Sequence, residues 1–139
     1  MEQGTARTRI PAETDERFTP LRRELGVTSF GINLITLQPG QRGRIHRHEH
    51  QEEVYLVLEG TLTLLVEREE SVFERGELVR IAPDLRRQLV NRAPARLLIL
   101  ALGGSGEHTG RDGEAFASWD DETGAPPQEV PLPPDLPEG

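Results

Sequence analysis

The chain contains no cysteine and no lysine among its 139 residues. The absence of cysteine excludes disulfides, thiolate metal sites, Cys-x-x-Cys redox chemistry and a cysteine nucleophile. The absence of lysine excludes a P-loop lysine and a Schiff-base or general-base lysine. None of the four serines lies in a Gly-x-Ser-x-Gly setting. Catalysis by this chain would therefore use histidine, a carboxylate, arginine, tyrosine, a metal ion or an organic cofactor.

The charge and hydropathy of the chain limit the classes of partner that it can bind. A formal net charge of −8 argues against a general nucleic-acid binder. No apolar run approaches the roughly 18 residues that a membrane-spanning helix needs. The first nine residues carry charge and no apolar stretch, unlike a secretory signal. We therefore expect a cytoplasmic protein that binds neither nucleic acid nor a membrane.

The distribution of charge divides the chain into three parts. Arginines and acidic residues balance over residues 1–24 and again over residues 25–103. Residues 104–139 carry one arginine and nine acidic residues, and thus the whole net charge. We predict an N-terminal arm over 1–24, one folded domain over 25–103 and an acidic, proline-rich tail over 104–139.

The tail holds six of the eleven prolines, so it cannot form regular helix or sheet for long. We expect that it is nevertheless held against the folded domain or a partner. Its plausible anchors are its few large apolar side chains, which are Phe116, Trp119, Val130, Leu132 and Leu136.

The central part of the chain reads as short strands separated by turns. The predicted strands are residues 27–37, 44–48, 53–58, 61–66, 72–74, 77–81, 87–91 and 96–102, with a charged turn over 67–70. Strands of this length at this spacing predict a β-sandwich or barrel. Residues 17–25 fit either one helical turn or an extended arm.

His46 and His48 lie two residues apart in a predicted strand, so both imidazoles project from the same face. Glu53 begins the next strand, and the short loop between them can fold it back beside the histidines. Two histidines and one carboxylate form a facial triad that leaves open positions on a metal such as Fe(II). The same ligands also accept Mn, Ni, Co or Zn.

These residues belong to a longer pattern, Gly40-x5-His46-x-His48-x4-Glu53-x6-Gly60. The pattern resembles the first conserved motif of the cupin superfamily, and specifically a small, single-domain, bacterial-type cupin of the cupin 2 conserved-barrel kind. The resemblance implies an all-β fold, a double-stranded β-helix or jelly-roll barrel. It also implies that His46, His48 and Glu53 hold a divalent metal ion inside the barrel, with Gly40 and Gly60 at turns.

The second cupin motif is matched in part, between Gly76 and Asn91. Gly76 and Pro83 fall at the expected turns, and Asp84 replaces the usual turn glycine, which aspartate can do because it tolerates a left-handed conformation. The fourth metal ligand, normally histidine, corresponds to Arg87. Arginine cannot bind a metal, because it stays protonated and has no lone pair to offer.

Arg87 leaves three interpretations open. In the first, a three-ligand metal site persists and Arg87 orients an anionic substrate beside it. In the second, the barrel is metal-free and Arg87 pairs with Glu53 in place of the ion. In the third, Arg87 lies on the surface. Tyr55 shares the inward face with Glu53 and is a second candidate for substrate binding.

The resemblance leaves several functions open, because cupins include dioxygenases, isomerases, decarboxylases and non-enzymatic binding proteins. We expect a divalent metal ion (Fe, Mn, Ni or Zn), no organic cofactor, and a small anionic organic ligand inside the barrel. A metal-dependent oxygenase or isomerase is one hypothesis, a metal-free sensing or binding module is the second, and a structural oligomer with a vestigial site is the third. We also expect a homodimer, with Ile10, Phe18 and Leu21 contributing to its interface.

Overall fold

A computed structural model describes residues 4–104 and 113–137. The described chain forms two five-stranded antiparallel sheets and almost no helix, which confirms the predicted all-β fold. The elements in chain order are β1 (Phe18–Pro20), α1 (Arg22–Leu25), β2 (Gly31–Leu37), β3 (Ile45–His48), β4 (Glu52–Glu59), β5 (Thr61–Val66), β6 (Glu69–Glu74), β7 (Leu78–Ile81), β8 (Arg87–Val90), β9 (Leu97–Gly104), β10 (Gly113–Phe116) and a short 3-10 helix (Pro127–Glu129).

Consecutive strands are distributed between the two sheets, as in a jelly roll. Sheet one has the order β1-β2-β9-β4-β7, and sheet two has the order β10-β3-β8-β5-β6. The main core lies between the sheets and is built from inward-facing aliphatic side chains around the single tyrosine, Tyr55. Because side chains alternate along each strand, the same inward rows that build this core also carry polar residues toward the open end of the barrel.

The central strands of sheet one are apolar on both faces. In β9, Leu97 and Ile99 are fully buried in the main core, whereas Leu98 faces outward. Leu98 forms a second cluster with Leu34 of β2 and Leu21 of the arm. The continuous apolar run of β9 therefore reflects burial on both sides, which a strand at the centre of a sheet can have.

The turns depend on residues that adopt a left-handed conformation. Gly40, Gly60 and Gly76 have φ angles of 83°, 86° and 88°. Asp84 takes the same conformation with φ 71°, and its backbone N–H donates to the carbonyl of His48 at 2.7 Å. The β5–β6 hairpin turns on two non-glycine residues, Glu67 and Arg68, both with positive φ.

Several predicted element bounds are wrong. The first long strand begins at Gly31 rather than at residue 27, and residues 17–25 form both a strand and a helical turn. Strand β6 begins at Glu69, inside the predicted charged turn. It is an edge strand with little burial, so its charged residues stay in water and give no alternating pattern.

The tail is attached to the barrel more regularly than its composition predicts. Strand β10 pairs with β3 along its whole length and so extends sheet two. Farther along, the Nε of Arg44 donates to the carbonyl of Val130 at 2.6 Å, and the N–H of Leu136 donates to the carbonyl of Gly40 at 2.7 Å. No helix among the described residues is long and apolar enough to cross a membrane.

The predicted tail anchors differ in burial. Phe116 and Val130 are buried, and Trp119 and Leu136 are partly covered. Leu132 is 42% exposed, so the expectation that it anchors the tail is wrong. On either side of it, the carbonyls of Val130 and Pro134 accept hydrogen bonds from Arg44 and Arg42 of the barrel.

We expect Gly60→Ala to destabilise the fold strongly. A Cβ at this position would lie 2.4 Å from the carbonyl oxygen of Arg96, in addition to the cost of a left-handed conformation. The matched control is Gly76→Ala, which has the same φ but no atom within 4 Å of the added carbon. Urea unfolding should show a loss of about 1–2 kcal/mol for Gly76→Ala and a clearly larger loss for Gly60→Ala. Equal losses would contradict this account.

Candidate metal centre and cavity

The two histidines of β3 point into the barrel from sheet two. His46 and His48 are partly buried, and their ring centroids lie 5.3 Å apart with the planes nearly perpendicular. Strand β3 lies between β10 and β8, with His46 opposite Ala115 on one side and Arg87 on the other. The strand's alternation therefore presents both rings to the same space, as the sequence predicts.

Glu53 reaches the same space from the opposite sheet. It lies near the start of β4, in register with Gly103 of β9. One carboxylate oxygen is 3.8 Å from Nε2 of His46, and the other is 3.7 Å from Nε2 of His48. The lack of a side chain at Gly103 helps to leave room here, since a Cβ there would contact both Gln51 and Glu53. The three predicted ligands thus converge from two sheets.

The tautomer of His46 is suited to metal binding. Its Nδ1 lies 3.1 Å from the backbone carbonyl oxygen of Arg44, which can only accept a hydrogen bond. The Nδ1 atom therefore carries a proton, which leaves Nε2 as the ring atom that faces Glu53 and that would bind an ion. A backbone carbonyl that fixes a ring in this way is the usual support for a metal-bound histidine.

The Glu53 carboxylate is held in its charged form by its neighbours. Burial alone would raise its pKa, but hydrogen bonds and charge interactions with His46 and His48 outweigh burial and hold the pKa well below its usual range. The Tyr55 hydroxyl also donates to this carboxylate. Burial, and then the charge of Glu53, raise the pKa of Tyr55 well above its ordinary value, against a smaller opposing effect of Arg87.

The ligand atoms fit one divalent ion. One donor atom from each of His46, His48 and Glu53 lies within 4.8 Å of the others. Two ligands bound at about 2.1 Å to one ion are about 3.0–3.4 Å apart, so small side-chain rotations would close the site. Nitrogen and oxygen donors of this kind suit Fe(II), Mn, Ni or Zn.

Comparison with known families agrees with the site. Residues 33–103, half of the chain, match the family model described as "Cupin domain". The chain belongs to the cupin family. Among curated proteins, none matches the sequence significantly.

Solved structures share the fold of this cupin. A cupin protein from Bacteroides fragilis superposes with a TM-score of 0.68 at 21% identity, over 78% of this chain and 92% of that one. A sugar phosphate isomerase of the cupin superfamily from Silicibacter pomeroyi superposes with a TM-score of 0.63 at 28% identity, over 82% of this chain and 78% of that one.

Arg87 takes up an unusual position for a charged residue. Its side chain is 0% exposed, and Nη2 donates to the carbonyl of Ala82 at 3.4 Å, whereas Nε and Nη1 lack hydrogen-bond partners. It is not among the residues that line the main cavity, and it forms no ion pair with Glu53. The interpretation that places it on the surface is wrong, since the inward face of β8 buries it completely.

The triad opens into a cavity of about 1200 Å³. Tyr55 and the aliphatic side chains of Ile35, Leu37 and Leu89 form its lower wall, with Asn33 and Gln51 as polar groups. The N-terminal arm contributes Arg22 and Arg23, and the tail contributes Pro127 and Gln128, to the same cavity. The sequence did not predict the contributions of the arm and tail, because only the folded chain brings these segments to the barrel opening.

We expect the metal-free protein to keep Tyr55 protonated above the ordinary tyrosine pKa of about 10 for as long as it stays folded. The raised pKa contributes stability below pH 10, and this contribution is lost as the pH rises toward the native pKa, by up to about 1.4 kcal/mol per pH unit. Because the chain has a single tyrosine, tyrosinate absorbance reports this group alone.

The control is Tyr55→Phe, in which the loss of folding stability caused by Tyr55 ionisation above pH 10 should disappear. Trp119 fluorescence follows folding in both proteins, since it is the single tryptophan. Tyrosinate absorbance that appears near pH 10 while the protein remains folded would contradict the assignment.

Proposed function

We propose that this cupin binds a divalent metal ion through His46, His48 and Glu53 and is a metal-dependent enzyme that acts on a small anionic organic molecule. The observation that carries the proposal is the convergence of three ligand atoms from two sheets at one wall of a large cavity. Such an arrangement leaves coordination positions open toward the cavity, which a purely structural metal site does not.

The residues around the triad have distinct parts in this proposal. A bound divalent ion would supply Lewis-acid or redox chemistry at the wall of the cavity. Tyr55 donates to Glu53 and keeps that carboxylate oriented. Asn33 offers an amide group for hydrogen bonds to a ligand, and aliphatic side chains form much of the wall beside it.

Two reaction classes have support. Isomerisation is favoured by the likeness, at 28% identity, to the sugar phosphate isomerase from Silicibacter pomeroyi. Oxygenation is favoured by the ligand set, because two histidines and one carboxylate with open positions are typical of non-haem Fe(II) oxygenases. Oxygen consumption by the Fe(II)-loaded protein, measured beside isomerisation of sugar phosphates, separates the two classes.

The metal-free alternative has less support. It requires Arg87 to pair with Glu53, but the contacts to that carboxylate come from His46, His48 and Tyr55. Arg87 instead donates to the backbone of Ala82. A role for Arg87 and Tyr55 in binding substrate stays a prediction, with Tyr55 alone lining the cavity.

We expect the purified protein to carry about one divalent ion per chain, measured by elemental analysis. His46→Ala and His48→Ala should each lower occupancy at least tenfold, because two remaining ligands hold such ions weakly. His50→Ala is the control, since that side chain is 73% exposed in the loop after β3 and should not affect binding. A wild-type protein that takes up no Fe(II), Mn(II), Ni(II) or Zn(II) after reconstitution would rule out the metal site.

We also propose that the chain forms a cytoplasmic homodimer through the outer face of sheet one. Val54, Leu56 and Leu102 are partly exposed on the outer face of adjacent strands, and Leu78 at the sheet edge is 63% exposed. Ile10 and Phe18 are exposed as well, but Leu21 already packs against Leu34 and Leu98 of its own chain. The expectation that Leu21 lies in the interface therefore needs correction.

Light scattering should show a dimer at micromolar concentration, and Leu78→Arg should shift it toward monomer by placing a charge within the apolar face. Val72→Arg is the matched control, because Val72 is 55% exposed on the edge strand of the other sheet. A monomeric wild-type protein, or the same shift in both variants, would argue against this interface.

A further inference from the structure

Two arginines of the cavity wall stand apart from the other arginines. Most arginines in the described ranges donate from the side chain to a carboxylate or a carbonyl, as Arg17 and Arg44 do at this cavity. Within residues 4–104 and 113–137, those that make no such contact are Arg7, Arg9 and Arg75, which are exposed and away from the cavity, and two residues that line it, the partly buried Arg22 and the exposed Arg23.

The backbone around Arg22 is fixed, so its side chain is directed by the fold. The preceding residue, Leu21, is buried against sheet one, and its N–H donates to the carbonyl of Ile32 at 3.0 Å. The carbonyl of Arg22 accepts from the N–H of Val27 at 3.0 Å, and Gly26 closes the helical turn with a positive φ. The fold therefore fixes the backbone position from which the Arg22 side chain extends.

The guanidinium of Arg22 is also partly withdrawn from water. Its Nε is buried and has no hydrogen-bond partner among the described residues, so the protein leaves part of this cation unsatisfied. Asp15, Glu16 and Glu24 line the same region, but none forms an ion pair with Arg22 or Arg23. The carboxylate of Glu24 instead accepts a hydrogen bond from Thr8.

We propose that Arg22 and Arg23 bind an oxyanion group, a phosphate or a carboxylate, at the arm side of the cavity. Planar guanidinium groups match the geometry of both anions. The assignment rests on the proposed function, in which the other end of the same ligand reaches the metal site at His46, His48 and Glu53. It names Arg22 and Arg23, rather than Arg87, as the residues that select an anionic substrate.

The strand register sets the length of such a ligand. Pro20, Asn33, Ala101 and Tyr55 lie side by side on four neighbouring strands. Three strand spacings amount to about 14 Å along the sheet, and the reach of the Arg22 side chain shortens this distance. The ligand is therefore a metabolite-sized molecule with its anionic group remote from the reacting end.

The test uses inorganic phosphate and acetate as probes and the full chain, both as purified and after treatment with a chelator. Calorimetric titration of the wild type should show saturable binding of at least one probe in both forms. Arg22→Gln should weaken this binding about tenfold or more, Arg23→Gln should weaken it less, and Arg22→Lys should retain part of it. Tighter binding of phosphate than of acetate would assign a phosphorylated ligand, and the reverse order a carboxylate.

Arg75→Gln is the matched control, because it removes the same charge from an exposed turn. Equal weakening by Arg75→Gln, or no saturable binding of either probe to the wild type, would overturn the proposal. Thermal unfolding establishes that each variant is folded. Elemental analysis of the same samples measures the metal content, so a failure of the metal site can be distinguished from a failure of the anion site. An as-purified protein without metal that still binds phosphate through Arg22 would contradict the metal-dependent function alone.

Discussion

A carboxylate buried between two sheets must be surrounded by donors or cations, and Glu53 imposes this requirement on the barrel. The neighbouring atoms that meet it come from His46 and His48 of the facing sheet and from Tyr55 on its own strand. The register of β4 with β9 leaves a glycine beside the carboxylate, so no side chain fills the space. Placement of β3 opposite β4 is thus an electrostatic constraint as much as a packing one.

The sequence carried most of the information about this site because strand alternation is a local rule. The two-residue spacing of His46 and His48 predicts that both rings face one side, and the resemblance to the cupin motif adds Glu53 to them. Asp84 was likewise predicted at a turn, and it has a positive φ there. These features depend on neighbours within a few residues, so the sequence displays them directly.

Other features depend on contacts that no local pattern records. Strand β10 is identifiable only from its partner β3, since its own sequence, Gly113–Phe116, has no strand pattern. The partner of Arg87 also depends on distant contacts. Strand alternation places its side chain on the inward face, but the local sequence does not say that the guanidinium donates to the carbonyl of Ala82 rather than to Glu53. The contribution of Arg22 to the cavity follows from the burial of Leu21, which the extended-arm and helical interpretations of residues 17–25 left equally open.

The family match ends at residue 103, but the support of the histidine strand lies beyond it. Strand β3 shares one residue pair with β8, His46 with Arg87, and four with β10. A chain cut at the family boundary would retain all three ligand residues and yet leave β3, which carries the two histidines, as a poorly paired sheet edge. The segment that matches the family is therefore shorter than the segment that supports the histidine strand. The supporting segment also includes β10, in the acidic region after residue 103.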